Sequence, residues 1–122
     1  MPALIVLVDV DRTQRQRLDR LLSEQGYLVA TAHSFHRAKE LLDSVNPDLL
    51  ITAVRLDAFN GLQLAVIGRD TYPDIRLIVF SGFDDPVLRT EAEHVGATYV
   101  VKPVTGAQLL AILRQANSGD GH

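Results

Sequence analysis

Cysteine is absent from this chain of 122 residues, so neither a disulfide framework nor a thiolate metal site can form. An excess of positive charge is missing too. Twelve lysines and arginines stand against 15 aspartates and glutamates, a net charge of −3. That balance argues against a nucleic-acid binder, which needs a broad basic surface to meet phosphates. Long hydrophobic runs are also lacking. The apolar stretches have the length of buried strands, and no charged-then-apolar leader precedes them. Neither a membrane span nor a signal peptide is expected, and the protein is placed in the cytoplasm. There is no disorder signature, since 47% of residues are apolar and 22% charged, an ordinary globular balance. The length suits one domain with a single core, 1–122, ending in a loose polar tail over 117–122.

What the sequence does contain is a fivefold alternation of strand and helix. Leu4 to Val8 is a continuous apolar run, as in a strand buried on both faces. Asp11 follows as a helix N-cap, with Gln14 completing a capping-box-like pair and Leu18, Leu21 and Leu22 forming the apolar face. Gly26 suits the stop of that helix. A second strand is expected over Tyr27 to Thr31 and a helix capped by Ser34 through about Val45. Asn46-Pro47 leads into a third strand, Leu49 to Ala53; a loop follows, and then a helix from about Gly61 to Thr71. The fourth strand is Ile75 to Phe80. Asp85 and Pro86 open the fourth helix as N-cap and first helical residue, and Gly96 ends it. Thr98 to Val101 is the fifth strand, and Thr105 with Gln108 caps a helix with Leu109, Ile112, Leu113 and Ala116 at core spacing. With no internal repeat and no linker, this is a doubly wound α/β unit: a five-stranded parallel sheet with five helices. Ligands of such sheets sit beyond the carboxyl ends of the strands.

At that edge the chain places Asp9 after the first strand, Ala53 after the third, Ser81 after the fourth and Lys102 after the fifth. The runs Leu4–Asp9, Pro47–Ala53 with Asn60-Gly61, and Val101-Lys102-Pro103 resemble the receiver domain of two-component response regulators, over about residues 4 to 116. The resemblance implies a flavodoxin-like fold with strand order 2-1-3-4-5. It also implies a site in which two adjacent acids hold Mg²⁺, an aspartate accepts phosphate from a histidine kinase, a Ser/Thr binds the phosphoryl group and a Lys neutralises it. Asp9 matches the first acid, Ser81 the Ser/Thr and Lys102 the lysine, and Lys102-Pro103 matches a peptide commonly cis in the family. Val10 stands in place of the second acid and Ala53 in place of the acceptor, so no phosphoacceptor, catalytic residue, metal site or cofactor is expected. Asp57, in the following loop, reads as an exposed turn acid, and Thr52 points away from the side that residue 53 serves. Lys102 is expected to turn to Asp9, its remaining acidic partner, with Arg55 filling part of the space. The approach to the fifth strand, Gly96 to Tyr99, is one residue shorter than is usual in the family.

Tyr99 matches the aromatic that rotates inward when receivers are activated; it reads equally as a half-buried aromatic on an edge strand. The first helix carries Arg12, Arg15, Arg17 and Arg20, diluted by Asp19 and Glu24 into a solvated face. His33, His36, His94 and His122 read as surface or packing histidines. The last helix spreads apolar groups beyond one stripe, and at least one of Leu110 and Ala111 should be exposed. Tyr99, Leu110 and Ala111 are the candidate interface. The resulting expectation is a degenerate receiver that contacts a signalling protein or a component of a histidine-kinase pathway, or a second copy of itself, and touches neither nucleic acid nor membrane. Its rivals are an ordinary phosphorelay receiver whose acceptor was replaced by engineering at Ala53, against which Val10 argues, and a small-ligand module using the vacated pocket, for which no motif speaks.

Overall fold

A computed structural model describes residues 2–119, with side chains through Gln115. Five parallel strands form the sheet: β1 (Leu4–Val8), β2 (Leu28–Ala32), β3 (Leu49–Ala53), β6 (Arg76–Ser81) and β7 (Ala97–Val101), in the order β2-β1-β3-β6-β7. Counted among the long strands alone, that is the expected 2-1-3-4-5. Between β3 and the next helix lies a small antiparallel hairpin, β4 (Arg55–Leu56) and β5 (Phe59–Asn60). The sequence predicts only a loop there, because two-residue strands carry no readable period. Asp57 makes the turn with φ of 55°, a left-handed conformation that aspartate tolerates better than most residues.

The sheet is apolar on both faces. Ile5 and Leu7 pack with Leu18 and Leu22 of α1 (Arg12–Glu24) and with Leu109 and Leu113 of α5 (Gly106–Gly119). Val6 and Val8 face the other way, toward Ala38 and Leu42 of α2 (Phe35–Ser44), Leu64 and Ala65 of α3 (Gly61–Thr71) and Ala92 of α4 (Pro86–His94). This period-2 division across a continuous apolar strand suits β1 to its place inside the sheet, between β2 and β3. The helix starts follow from their caps. Asp11, Ser34 and Asp85 accept backbone N–H bonds from Gln14, Arg37 and Val87. Thr105 and Gln108 bond each other's backbone N–H reciprocally. Gly26 and Gly96 take φ of +94° and +76° where α1 and α4 end.

The last helix runs beyond its expected end. Helix α5 continues through Asn117 and Ser118 to Gly119, where a loose tail is expected from residue 117. Neither proline nor an interior glycine interrupts its hydrogen-bond ladder before that point. Residues 120–122 of the expected tail, with His122, and the side chain of Ala116 lie outside the described part. Gly61 opens α3 where expected, so close to the sheet that a Cβ would lie 1.9 Å from the Ala53 carbonyl oxygen. Glycine is required here by space, not by φ. Among the described residues no helix is long and apolar enough to cross a membrane.

Candidate functional site

The carboxyl ends of β1, β3 and β6 bring Asp9, Ala53 and Ser81 together, and the residue after β7 brings Lys102. All four line one cleft of about 350 Å³. Register makes this inevitable: Val8 pairs with Thr52 and Ala53 with Phe80, so the next residues emerge at the same level.

Asp9 is the anchor of the cleft. Its side chain is 4% exposed, one oxygen accepts the Asp11 N–H at 3.0 Å, and the other meets the Lys102 ammonium at 3.3 Å. Arg15 binds the Asp9 carbonyl at 2.7 Å and steadies the turn. Lys102 is thus directed to Asp9, as the sequence predicts, and the Lys102-Pro103 peptide is cis. The carboxylates lining the cleft are Asp9 and Asp11, and the side chain between them is that of Val10, 37% exposed. Ala53 is buried, and Thr52 beside it is fully buried with its hydroxyl donating to the Ala53 carbonyl at 2.9 Å, outside the cleft. Arg55 lines the cleft from the hairpin as an exposed side chain, and Asp57 is exposed on its turn.

The loop between β6 and α4 is fastened from both sides. The Phe83 N–H donates to the Ser81 hydroxyl at 3.2 Å, and the Tyr99 hydroxyl donates to the Phe83 carbonyl at 2.6 Å. The Arg89 guanidinium lies 4.8 Å from the centre of the Tyr99 ring and bonds Asp84 at 2.8 Å. The hydrogen bond that Arg89 donates to the Asp84 carboxylate holds the Arg89 pKa above its ordinary value. Tyr99 is consequently buried, not half-buried as an edge-strand position suggests. Burial of a tyrosine requires a partner for its hydroxyl, and a backbone carbonyl supplies it.

Residues 5–114 match the family described as the response regulator receiver domain. The chain belongs to that family. It is 33% identical to the response regulator MprA of Mycolicibacterium vanbaalenii over 126 aligned residues, covering 99% of this chain and 54% of that protein. The chain spans about half the length of the curated relatives it matches. A signal receiver domain of an HD domain-containing protein from Pseudomonas fluorescens Pf-5 superposes with a TM-score of 0.87 at 32% identity, covering 98% of this chain and 97% of that one. A CheY-like receiver from Methanospirillum hungatei JF-1 shares the fold with a TM-score of 0.90 at 20% identity over 95% of this chain and 94% of that one.

The expected interface is met in part: Ala111 is exposed, as at least one of Leu110 and Ala111 should be, whereas Tyr99 and Leu110 are not. Tyr99 is turned inward by its bond to Phe83, and Leu110 is partly buried against the cluster containing Leu109 and Leu113. Leu110→Glu would therefore disturb packing as well as surface. The most exposed large apolar side chains among the described residues, which sequence reasoning missed, are Phe83, 72% exposed, and Val87, 65% exposed, at the head of α4. A single phenylalanine in a loop has no period to betray it; the signal available was its place between Gly82 and Asp84, in a segment too polar to be core. His33, His36 and His94 are exposed, with the His36 ring edge-on to Phe59 at 4.8 Å.

Proposed function

We propose that this receiver is a pseudo-receiver, a signalling domain that works through protein contact without aspartyl phosphorylation. The observation that carries the reading is Ala53, a buried methyl group at the carboxyl end of β3, between the strands that deliver Asp9 and Ser81. A methyl group offers no nucleophile and no metal ligand.

The donor set around it does not fit Mg²⁺, which demands near-octahedral oxygen coordination. Both Asp9 oxygens are already engaged, by the Asp11 N–H and by Lys102, and Asp11 caps α1 through the Gln14 N–H. Val10 supplies no oxygen from its side chain. No step of the function is therefore routed through a metal.

Contact is assigned to exposed apolar side chains, which on a soluble surface mark partner sites when they cluster. Phe83 and Val87 at the head of α4, and Ala111 on α5, are the candidates. The partner is a protein of the signalling pathway or a second copy of the domain, in the cytoplasm. Addition of beryllofluoride with Mg²⁺ tests the reading, followed by the amide resonances of Ser81, Phe83 and Tyr99. The expected result is no change; saturable shifts at these residues would overturn it.

A further inference from the structure

We infer that the carboxyl edge of the sheet is a contact surface for a second copy of this chain, in which Phe83 of each copy enters the cleft of the other. This deepens the pseudo-receiver reading and rests on it, since a cleft that seats a side chain has no room for a phosphoryl group. The two fail separately, because self-association is measured with no phosphoryl donor present. The first observation is where exposed apolar surface collects. Val10, Phe59, Phe83 and Val87 follow the carboxyl ends of β1, β3 and β6; among the described residues the other large apolar side chains left exposed are Leu28 and Val66. Exposed apolar groups that cluster mark contact sites, and singly scattered ones do not.

Phe83 is built as a projecting anchor. Its N–H is held by the Ser81 hydroxyl and its carbonyl by the Tyr99 hydroxyl, yet the residue is 72% exposed. A fastened backbone removes most of the ordering cost that a loop residue meets on binding. The cleft beside it is the matching recess. Val10, Ala53, Val54, Phe80 and Leu88 line it, and its volume is about 350 Å³. An apolar cavity of about 150 Å³ takes benzene, so a phenyl ring fits. Projection and recess lie on one face, which a two-fold contact requires, because the same patch then serves both copies. Charge places the axis. The side chains of Arg55 and Asp57 stand exposed on one hairpin with opposite sign, and among the described residues neither has a hydrogen-bond or ion-pair partner. With the axis at that hairpin, Arg55 of each copy meets Asp57 of the other. Since β3 lies between β1 and β6, the same axis sets the β6 end of one copy opposite the β1 end of the other, and Phe83 over Val10.

Sedimentation of the chain at concentrations up to about 1 mM tests the inference. A monomer–dimer equilibrium with a dissociation constant on the order of 100 μM is expected. Phe83→Ser removes the projection and Val10→Asp spoils the recess; both positions are exposed, so neither change threatens the fold. Each variant alone should dimerise about a hundredfold more weakly. Mixed together, they keep one of the two contacts, Phe83 of the Val10→Asp chain in the recess of the Phe83→Ser chain. The mixture should therefore associate about tenfold more tightly than either variant does with itself. A chain that stays monomeric throughout, a dimer that Phe83→Ser leaves at full affinity, or a mixture no tighter than its separate components would overturn the inference. A monomeric chain whose Ser81 and Gly82 amides shift saturably with N-acetylphenylalanine amide would give the recess to the side chain of a different protein and overturn the assignment to a second copy.

Discussion

Replacing Lys102 by methionine leaves the Asp9 carboxylate, 4% exposed, without its cation. Breaking a fully buried ion pair costs about 3–5 kcal/mol, and an exposed pair contributes about 0–1 kcal/mol. This pair lies between those limits, since the lysine side chain is 29% exposed and the Asp11 N–H continues to hold one Asp9 oxygen. A loss of about 2 kcal/mol follows from that intermediate burial. Over 122 residues, an unfolding entropy of about 2.1 cal/mol/K per residue turns this into a fall in Tm of about 8 °C. The informative comparison is a double-mutant cycle read by calorimetry. Asp9→Asn removes the charge that Lys102→Met would strand, so the double variant should be more stable than Lys102→Met alone by about 1 kcal/mol. If the two losses simply add, Lys102 and Asp9 are not coupled and the ion pair is not what positions the lysine.

The other perturbations act on the scaffold around the cleft. Gly61→Ala drives a methyl group to within 1.9 Å of the Ala53 carbonyl oxygen, and a loss of about 3 kcal/mol or more is expected in urea unfolding. Tyr99→Phe removes the hydroxyl that holds the Phe83 carbonyl; a loss of about 1 kcal/mol is expected, with faster amide exchange confined to the loop before α4. Ala111→Glu changes an exposed position on α5 and should leave Tm within about 2 °C of the parent.

Most of the fold was legible because its signals are local. Asp11, Ser34, Asp85 and the Thr105–Gln108 pair announce helix starts through their own backbone bonds, and the apolar run Leu4 to Val8 announces a strand buried on both faces. The cleft was legible for a different reason. Once five βα units are recognised, Asp9, Ala53, Ser81 and Lys102 must share one edge of the sheet. What escaped depends on contacts distant in sequence. Tyr99 is buried because a loop carbonyl 16 residues away receives its hydroxyl, a pairing that no periodicity encodes. Leu110 is drawn partly inward because the stripe of Leu109 and Leu113 is wide enough to include it. Arg69 binds the carbonyls of Pro73, Ile75 and Val95 and ties α3 to the turn before β6 and to the end of α4, contacts that no local pattern announces.

A domain with alanine at position 53 and valine at position 10 is proposed to receive no phosphoryl group. The direct measurement is the intact mass of the protein after incubation with acetyl phosphate and Mg²⁺, beside the Val10→Asp/Ala53→Asp double variant. The parent chain is expected to keep its mass unchanged, and the double variant to gain one phosphoryl group. A phosphoryl adduct on the parent chain, abolished by substitution of Asp57 or any other single residue, would contradict it.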